Sequence, residues 1–407
     1  MACLLKLPIP SSKGVTTFTT QEWRRIHGSP DLLRAVRQLR RSYAIGLHFN
    51  WHDDAFRPAP DFDFFMAGPE DLRSVDETPF HLIPMDACNF TPASYRPFPA
   101  VEKFWDVLAV GNPVAFKRPE VLLRTIRQLF DQSSRPLRVL YICPLPTRRF
   151  MDEDTVLYDV RAYYEALFSA EERSRFVLLT TEFDSPNPFD RNSLSVFFRN
   201  SRVFLHCPTD ERRCRIAAYA WCAGLPVVAY SSVASILPPA LRVEPGYFEI
   251  TSDGQYVQKI LSALETAEQF DAKPYAAELS EGSTVNRLRQ ELATLFAAHG
   301  EQLEGPLLAA NLDRRLGWHH QGIGGPANGL TQPLSDYIAV LYAAEWSNIQ
   351  RAALETADYP ERLLDPSSSE HPPATRETVE RQSIYLNPNK RRMMRVYKML
   401  RSKIGLE

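Results

Sequence analysis

Residues 206–230, HCPTDERRCRIAAYAWCAGLPVVAY, decide the fold class of this chain. An apolar strand leads into a charged loop, a small-residue helix predicted over 210–223, a Gly-Leu-Pro and a second apolar strand. Thr209 and Asp210 are suited to cap the start of that helix, and Gly224 is suited to end it. Apolar strands on both sides of a helix indicate parallel strands that are buried on both faces. The stretch therefore predicts a strand–helix–strand unit whose charged loop leaves the carboxyl end of a strand.

The same alternation continues on both sides of this stretch. Strands are predicted over 104–111, 137–145, 175–182, 201–208 and 225–231, and helices over 119–130, 158–168, 193–200 and 254–270. In an open parallel sheet, ligands bind beyond the carboxyl ends of the strands. We therefore expect the charged loop to lie at a binding site.

The chain divides into three parts by the pattern of its apolar and polar segments: 1–100, 101–300 and 301–407. The first part is a small β/α unit, the second holds the regular alternation, and the third is a helical C-terminal extension. The elements predicted in the outer parts are strands over 2–9, 43–51, 61–68 and 80–85, and helices over 31–43 and 333–357. The predicted fold class is α/β, with parallel sheets flanked by helices in two units.

The overall composition is that of a globular protein: of 407 residues, 44% are hydrophobic, and the formal net charge is -2. This balance gives no global attraction to nucleic acid, and no apolar run is long enough to span a bilayer. The N-terminal segment is interrupted by prolines too early for a secretion signal. The six cysteines lack metal-ligand spacing and are typical of buried thiols in a reducing compartment. We expect a cytoplasmic protein without a bound metal or cofactor.

The charged loop combines three arginines, Arg212, Arg213 and Arg215, with the predicted start of a helix. Unpaired N–H groups at a helix start attract phosphate, and guanidinium groups add bidentate donors. Beside such a site, the carboxylate of Glu211 is best explained as an acceptor for sugar hydroxyls. Two alternatives stay open: Glu211 as a first-turn acid that stabilises the helix dipole, and the arginines as a solvated face.

With these residues in place, the region 80–270 resembles the group 1 (family 4-like) glycosyltransferases, whose GT-B fold has two Rossmann-like domains. In that family a glutamate is followed by seven residues, a second glutamate and Gly-x-Pro-Val-Val; here Glu211 and Tyr219 hold those two positions, before AWCAGLPVV. FHLIPMDACNFTPASYRP is similar to the family's interdomain segment. VLAVGNPVAFKRPEVLLRTI is similar to its phosphate-binding segment and places Lys117 on the family's lysine. The first domain is abbreviated relative to the family.

The resemblance implies a retaining transferase that moves a sugar from a nucleotide-sugar donor to a glycan or lipid-linked acceptor. No metal or cofactor is required. If the C-terminal tail binds lipid, the acceptor is membrane-linked, as in surface polysaccharide or glycolipid biosynthesis. The resemblance assigns the donor sugar to Glu211 and the nucleoside region to Tyr219. The diphosphate and the adjoining donor loops are assigned to Gly111, Asn112, Lys117, Thr209, Asp210, Arg212, Arg213 and Arg215.

Three departures from the family pattern keep alternatives open. Tyr219 replaces the second glutamate, Asn112 replaces an arginine, and Arg212 and Arg213 replace glycines. Tyr219 is also typical of a core residue at an inward-facing helical position. One alternative is therefore an inactive, transferase-like binding or scaffold protein. Another is a GT-B transferase for a CMP-sugar donor, which needs fewer phosphate contacts.

Acceptor activation is assigned to HFNWHDD, residues 48–54, where His48 and His52 stand with two aspartates after a predicted strand. A histidine beside a carboxylate can assist deprotonation of a hydroxyl, although ordinary loop polarity explains the same residues. His319 and His320 lack a third ligand at a fitting spacing, so they predict no metal site.

The tail, residues 389–406, combines basic side chains with an apolar stripe at helical spacing. This pattern is typical of an interfacial helix drawn to anionic lipid, which would make the protein peripheral at the inner face of a membrane. The alternative is a terminal helix whose stripe packs on the protein itself.

Overall fold

The structure, a computed structural model, describes residues 2–48, 61–68, 81–97, 102–144, 160–180 and 191–316, together with 334, 337, 338 and 341. Two sheets of five and six strands organise these residues. Helices flank the sheets, and every strand pairing except one is parallel. The predicted α/β class, with parallel sheets flanked by helices, is confirmed.

The first sheet places its five strands side by side in chain order. They are β1 (Cys3–Lys6), β2 (Gly14–Thr19), β3 (Tyr43–His48), β4 (Phe64–Met66) and β5 (His81–Ile83), with helices α1 (Thr20–His27) and α2 (Pro30–Leu39) between β2 and β3. Only β1 runs antiparallel to its neighbour. Because the strand order never reverses among these five strands, they contain no topological switch point.

The second sheet has the order β11-β10-β9-β6-β7-β8, with all strands parallel. Its strands are β6 (Trp105–Val110), β7 (Val139–Cys143), β8 (Phe176–Thr180), β9 (Ser201–Leu205), β10 (Val227–Tyr230) and β11 (Tyr247–Ile250). Its helices are α3 (Pro119–Gln132), α4 (Val160–Leu167), α5 (Ala170–Arg173), α6 (Arg191–Arg199), α7 (Arg215–Cys222) and α8 (Tyr256–Thr266). The strand order reverses between β6 and β9. This is the doubly wound order, and its crevice lies beyond the ends of those two strands.

Alternate residues of the central strands supply two separate cores. In β9, Phe204 belongs to the cluster around Trp221, while Val203 and Leu205 belong to the cluster on the opposite face with Ile126. Successive side chains of a strand point to opposite faces, so an uninterrupted apolar strand serves both cores. This is why these strands could be predicted from apolar runs alone.

The chain returns to the first sheet after the second one is complete. Helices α9 (Lys273–Leu279), α10 (Glu281–Ala298) and α11 (Leu312–Arg315) follow α8. Apolar side chains of α10 pack on the first sheet beside Leu5, Val15 and Phe64. Helix α10 lies inside the range 101–300 predicted as the second unit, yet its apolar face belongs to the core of the first.

Several predicted segments lie outside the described residues: the glycine-rich loop with His319 and His320, most of the helix predicted over 333–357, and the basic tail 389–406. Among the residues that are described, no helix combines the length and apolar character needed to cross a membrane.

Candidate active site

A narrow crevice opens at the switch point of the second sheet. It is lined by Val110, Gly111, Lys117, Leu122, Tyr141, Leu205, His206, Cys207 and Pro208. Its cavity volume is about 10 Å³, which is the room that one water needs. The residues that follow β6 and β9 therefore meet where a doubly wound sheet binds its ligands.

Glu211 contacts Lys117, which lines this crevice, although 94 positions separate them in the sequence. The Lys117 ammonium contacts Oε1 of Glu211, and His206 Nε2 lies 2.8 Å from Oε2. Burial opposes ionisation of Glu211, but the facing His206 and Lys117 outweigh it and lower the pKa of the carboxyl to about 2. Glu211 is thus an ionised carboxylate held between two cationic groups.

His206 is 3% exposed and is held by its backbone. Its N–H donates to Val228 O at 3.0 Å, and its carbonyl accepts from the Tyr256 hydroxyl at 3.1 Å. The same ring nitrogen that faces Glu211 also lies 3.6 Å from Cys214 Sγ. Burial opposes a charge on the imidazole, yet Cys214 and Glu211 raise the pKa of His206 to about 9. The donor atoms of His206, Glu211 and Cys214 lie within 4.8 Å of one another.

The loop before α7 differs from its prediction. Helix α7 begins at Arg215 with Cys214 as its N-cap residue, so the predicted start at 210 and the capping roles of Thr209 and Asp210 are wrong. Instead, the Ser232 hydroxyl donates to Thr209 O and accepts from the Glu211 N–H, each at 3.1 Å. Arg213 adopts a left-handed φ of 56°. This loop geometry delays the helix and presents Glu211 to the crevice.

The three predicted arginines do not line the crevice. Arg212 is exposed, with its Nε 3.6 Å from Asp210. Arg215 donates to Asp313 O at 2.9 Å, toward α11. Arg213 is partly buried in the loop.

Arg118 contributes a cation near the crevice that the sequence did not predict. Its Nη1 donates to Cys207 O at 3.2 Å, and the same guanidinium forms an ion pair with Asp253. Tyr230 donates to the other oxygen of Asp253 at 2.7 Å and lies beneath the guanidinium. The only sequence signal was its place between Lys117 and a helix-starting proline.

The remaining predicted donor residues are dispersed. Gly111 lines the crevice, and Asn112 beside it is exposed. Tyr219 lies in the core at 7% exposure, stacked on Tyr95 with ring centroids 4.2 Å apart, and its hydroxyl donates to Asp313 Oδ2 at 2.6 Å. Its assignment to the nucleoside stays a prediction, since the structure gives it a different polar partner.

His48 ends β3 in the first sheet, where it is 3% exposed and its Nδ1 lies 2.8 Å from Thr17 Oγ1. His52 lies outside the described residues. The proposed role of this pair at an acceptor hydroxyl stays a prediction.

No protein-family model matches the sequence, and no curated protein matches it. Among solved structures, the GtfA/B complex aligns at 15% identity over 65% of this chain and 55% of that chain, with a TM-score of 0.45. The pneumococcal O-GlcNAc transferase GtfA, in complex with UDP and GlcNAc, aligns at 12% identity over 63% of this chain and 54% of its own, with a TM-score of 0.41. Sucrose-phosphate synthase from Thermosynechococcus elongatus aligns at 15% identity over 68% of this chain and 76% of its own, with a TM-score of 0.44.

The chain spans about half the length of the first two structures. Similarities at this low identity and TM-score support no conclusion about activity. The fold assignment is therefore based on the two sheets of this chain.

Proposed function

We propose that this chain is a GT-B-type glycosyltransferase that moves a sugar from a nucleotide-sugar donor to a glycan or lipid-linked acceptor, with retention at the anomeric carbon. The donor would bind at the crevice between β6 and β9. Residues that follow those two strands supply both the cations and the carboxylate that such a donor needs.

The contact between Lys117 and Glu211 is the observation that carries this proposal. The family resemblance assigns one of these residues to the phosphates and the other to the donor sugar. A random pair of polar residues so distant in sequence has no reason to meet at a switch point. Their meeting there supports a single site for both halves of a nucleotide-sugar.

The chemistry follows from the charges. Lys117 exchanges Glu211 for the diphosphate, and Arg118 adds a second cation at the adjacent loop; together they stabilise the negative charge that develops on the leaving nucleotide. Glu211 is then free to accept hydrogen bonds from sugar hydroxyls and to position the anomeric carbon. With two cations on the leaving group, the transfer itself needs no bound cofactor.

The acceptor side and the location are further parts of the proposal. His48 and His52 would act on the acceptor hydroxyl from the first unit. The protein would work in the cytoplasm, in surface polysaccharide or glycolipid synthesis, with the tail 389–406 on an anionic membrane surface.

A binding protein without transferase activity is the second candidate. Two observations favour it: the crevice has a volume of only about 10 Å³, and the Tyr219 hydroxyl is bound to Asp313. A CMP-sugar transferase remains the third, because a monophosphate donor needs fewer cations than a diphosphate.

Calorimetric titration of the full chain with UDP, GDP and CMP, followed by turnover assays with matching nucleotide-sugars, tests these candidates. We expect saturable binding of a nucleoside diphosphate and release of that nucleotide when acceptor is present. Lys117→Gln should weaken diphosphate binding at least about tenfold, since a charged hydrogen bond contributes about 1.5–3 kcal/mol. The matched control is Lys259→Gln. Lys259 pairs with Glu244, which precedes β11 and so lies at the amino ends of the strands, whereas the crevice lies beyond their carboxyl ends. Tight binding without turnover identifies a binding protein, a preference for CMP identifies the third candidate, and absence of any saturable heat overturns the proposal.

A further inference from the structure

We propose that His206, Glu211 and Cys214 form a binding site for a soft divalent cation of the Zn²⁺ class. The ligand atoms are His206 Nε2, Glu211 Oε2 and Cys214 Sγ. The proposed site belongs to the chain without a bound donor, since the proposed function assigns Glu211 and Lys117 to the donor itself.

The spacing of the three donor atoms fits such an ion. Nε2 lies 2.8 Å from Oε2 and 3.6 Å from Sγ, and all three atoms lie within 4.8 Å of one another. Tetrahedral zinc with Zn–N near 2.0 Å and Zn–S near 2.3 Å separates its nitrogen and sulfur ligands by about 3.5 Å and its nitrogen and oxygen ligands by about 3.3 Å. The observed nitrogen–sulfur distance of 3.6 Å matches this geometry, and the nitrogen–oxygen distance of 2.8 Å is shorter by about 0.5 Å, so Glu211 would move outward from the imidazole.

Glu211 and Cys214 face the same nitrogen of His206, which is the arrangement expected of three ligands around one shared ion. In a thiol–imidazole–carboxylate relay the thiol and the carboxylate sit on opposite ring nitrogens, so that one accepts and the other donates. Here both converge on Nε2, which carries at most one proton. A cation in the middle of the triangle satisfies all three donor atoms at once.

Surrounding groups hold each ligand in place, as outer partners do in metal sites. Lys117 contacts the other oxygen of Glu211, which leaves Oε2 for the ion. Ser232 holds the Glu211 backbone N–H, and Tyr256 holds the His206 carbonyl. Cys214 is fixed as the N-cap residue of α7, where its carbonyl accepts from Ala218 N at 3.2 Å.

The donor set selects the kind of ion. A thiolate and an imidazole favour Zn²⁺ and disfavour Mg²⁺ and Ca²⁺, which prefer oxygen ligands. The imidazole and the thiol bind such an ion in their deprotonated forms, so we expect binding to release protons. The fourth coordination position would open toward the crevice, where His206 is one of the lining residues.

Titration of the full chain with Co²⁺ tests the proposal, because Co²⁺ accepts the same tetrahedral ligands and absorbs visible light strongly there. A near-ultraviolet charge-transfer band reports a bound thiolate specifically. We expect both bands at one equivalent of Co²⁺, and we expect Zn²⁺ to bleach them because it binds such sites more tightly.

Cys214→Ala should abolish the charge-transfer band, and Glu211→Gln should weaken Co²⁺ binding at least about tenfold, since even outer-shell partners cost 10–100-fold. Cys222→Ala is the matched control: this thiol is buried on the same helix and lies outside the cluster.

Circular dichroism of each variant establishes that it is folded before titration. Absence of both bands in the unmodified chain, or a charge-transfer band that survives in folded Cys214→Ala, overturns the proposal. Nucleotide titration is a separate measurement, so failure of the proposed transferase function leaves this result unchanged.

Discussion

Arg118 has an unfavourable backbone conformation and lies near the crevice. Its φ of 53° lies in the left-handed region, which costs a non-glycine residue about 1–2 kcal/mol. That conformation ends the turn after Lys117 and starts α3 at Pro119, and it directs the guanidinium to Cys207 O and Asp253. Strain of this kind clusters at functional sites. Arg118 is therefore the second cation that we assign to the donor phosphates.

Arg118→Gln should weaken binding of a nucleoside diphosphate about tenfold, because one charge-assisted contact to phosphate is lost. Calorimetric titration measures the change directly. Arg124→Gln is the matched control on the same helix, since Arg124 is exposed and pairs with Glu120. Equal affinities of the two variants would remove Arg118 from the site.

The meeting of Glu211 and Lys117 could be expected from the sequence, and the positions of the groups around them could not. Glu211 and Lys117 each follow a predicted strand, and parallel strands bring their carboxyl ends to one edge. The position of the Arg118 side chain depends on the left-handed conformation of its backbone, which no local sequence pattern predicts. The cluster of His206 and Cys214 was missed because its spacing matches no common metal motif, and it forms only when the loop bends back at Arg213.

Helix α7 joins the second sheet to the returning chain. Its Tyr219 hydroxyl donates to the carboxylate of Asp313 in α11, which is fully buried, and its Arg215 guanidinium donates to the backbone carbonyl of the same residue. A buried carboxylate needs a donor such as the Tyr219 hydroxyl, since its desolvation is otherwise costly. The pair of contacts therefore supports a structural role for Tyr219 in fastening α11.

Tyr219→Phe should lower the free energy of unfolding by about 1–3 kcal/mol, because Asp313 loses one donor while the ring still stacks on Tyr95. Nucleotide affinity should stay unchanged. Chemical denaturation and calorimetry measure the two quantities. Tyr247→Phe is the control within the same unit, since its hydroxyl makes only a 3.3 Å contact to Ala229 O. Lost affinity with unchanged stability would restore Tyr219 to the nucleoside site.

Strands with uninterrupted apolar runs were predicted, while strands with mixed composition were missed. Strand β2, GVTTFT, is fully buried, yet its threonines interrupt the apolar run from which a buried strand is predicted. Their hydroxyls bind inside the fold: Thr16 Oγ1 donates to Cys3 O at 3.3 Å and lies 2.7 Å from the Tyr337 hydroxyl. β11, YFEI, was missed because it is short and carries an exposed glutamate. In both strands, packing and hydrogen bonds to distant residues stabilise the strand although its own sequence is partly polar.

At the scale of the whole molecule, the described residues join the two units by two crossings that lie side by side. Thr91 N donates to Leu279 O at 2.8 Å, and Glu281 N donates to Thr91 O at 2.9 Å. The outgoing chain near Thr91 thus pairs with the returning chain between α9 and α10. A boundary predicted at 300 from the sequence pattern cannot detect this return, because α10 is only weakly amphipathic and its sequence does not indicate the sheet on which it packs.

The return makes the first unit depend on residues from the far end of the chain. Leu292 of α10 is fully buried in the core of the first sheet, so Leu292→Ala should cost about 2–5 kcal/mol through the cavity that it leaves. Hydrogen exchange should show the loss of amide protection in β2, β3 and β4, with smaller changes in β6 and β9. Gln290→Ala, at an exposed position on the same helix, is the control and should change neither sheet. If protection falls first in the second sheet, α10 stabilises that sheet instead, and the first unit folds without the returning chain.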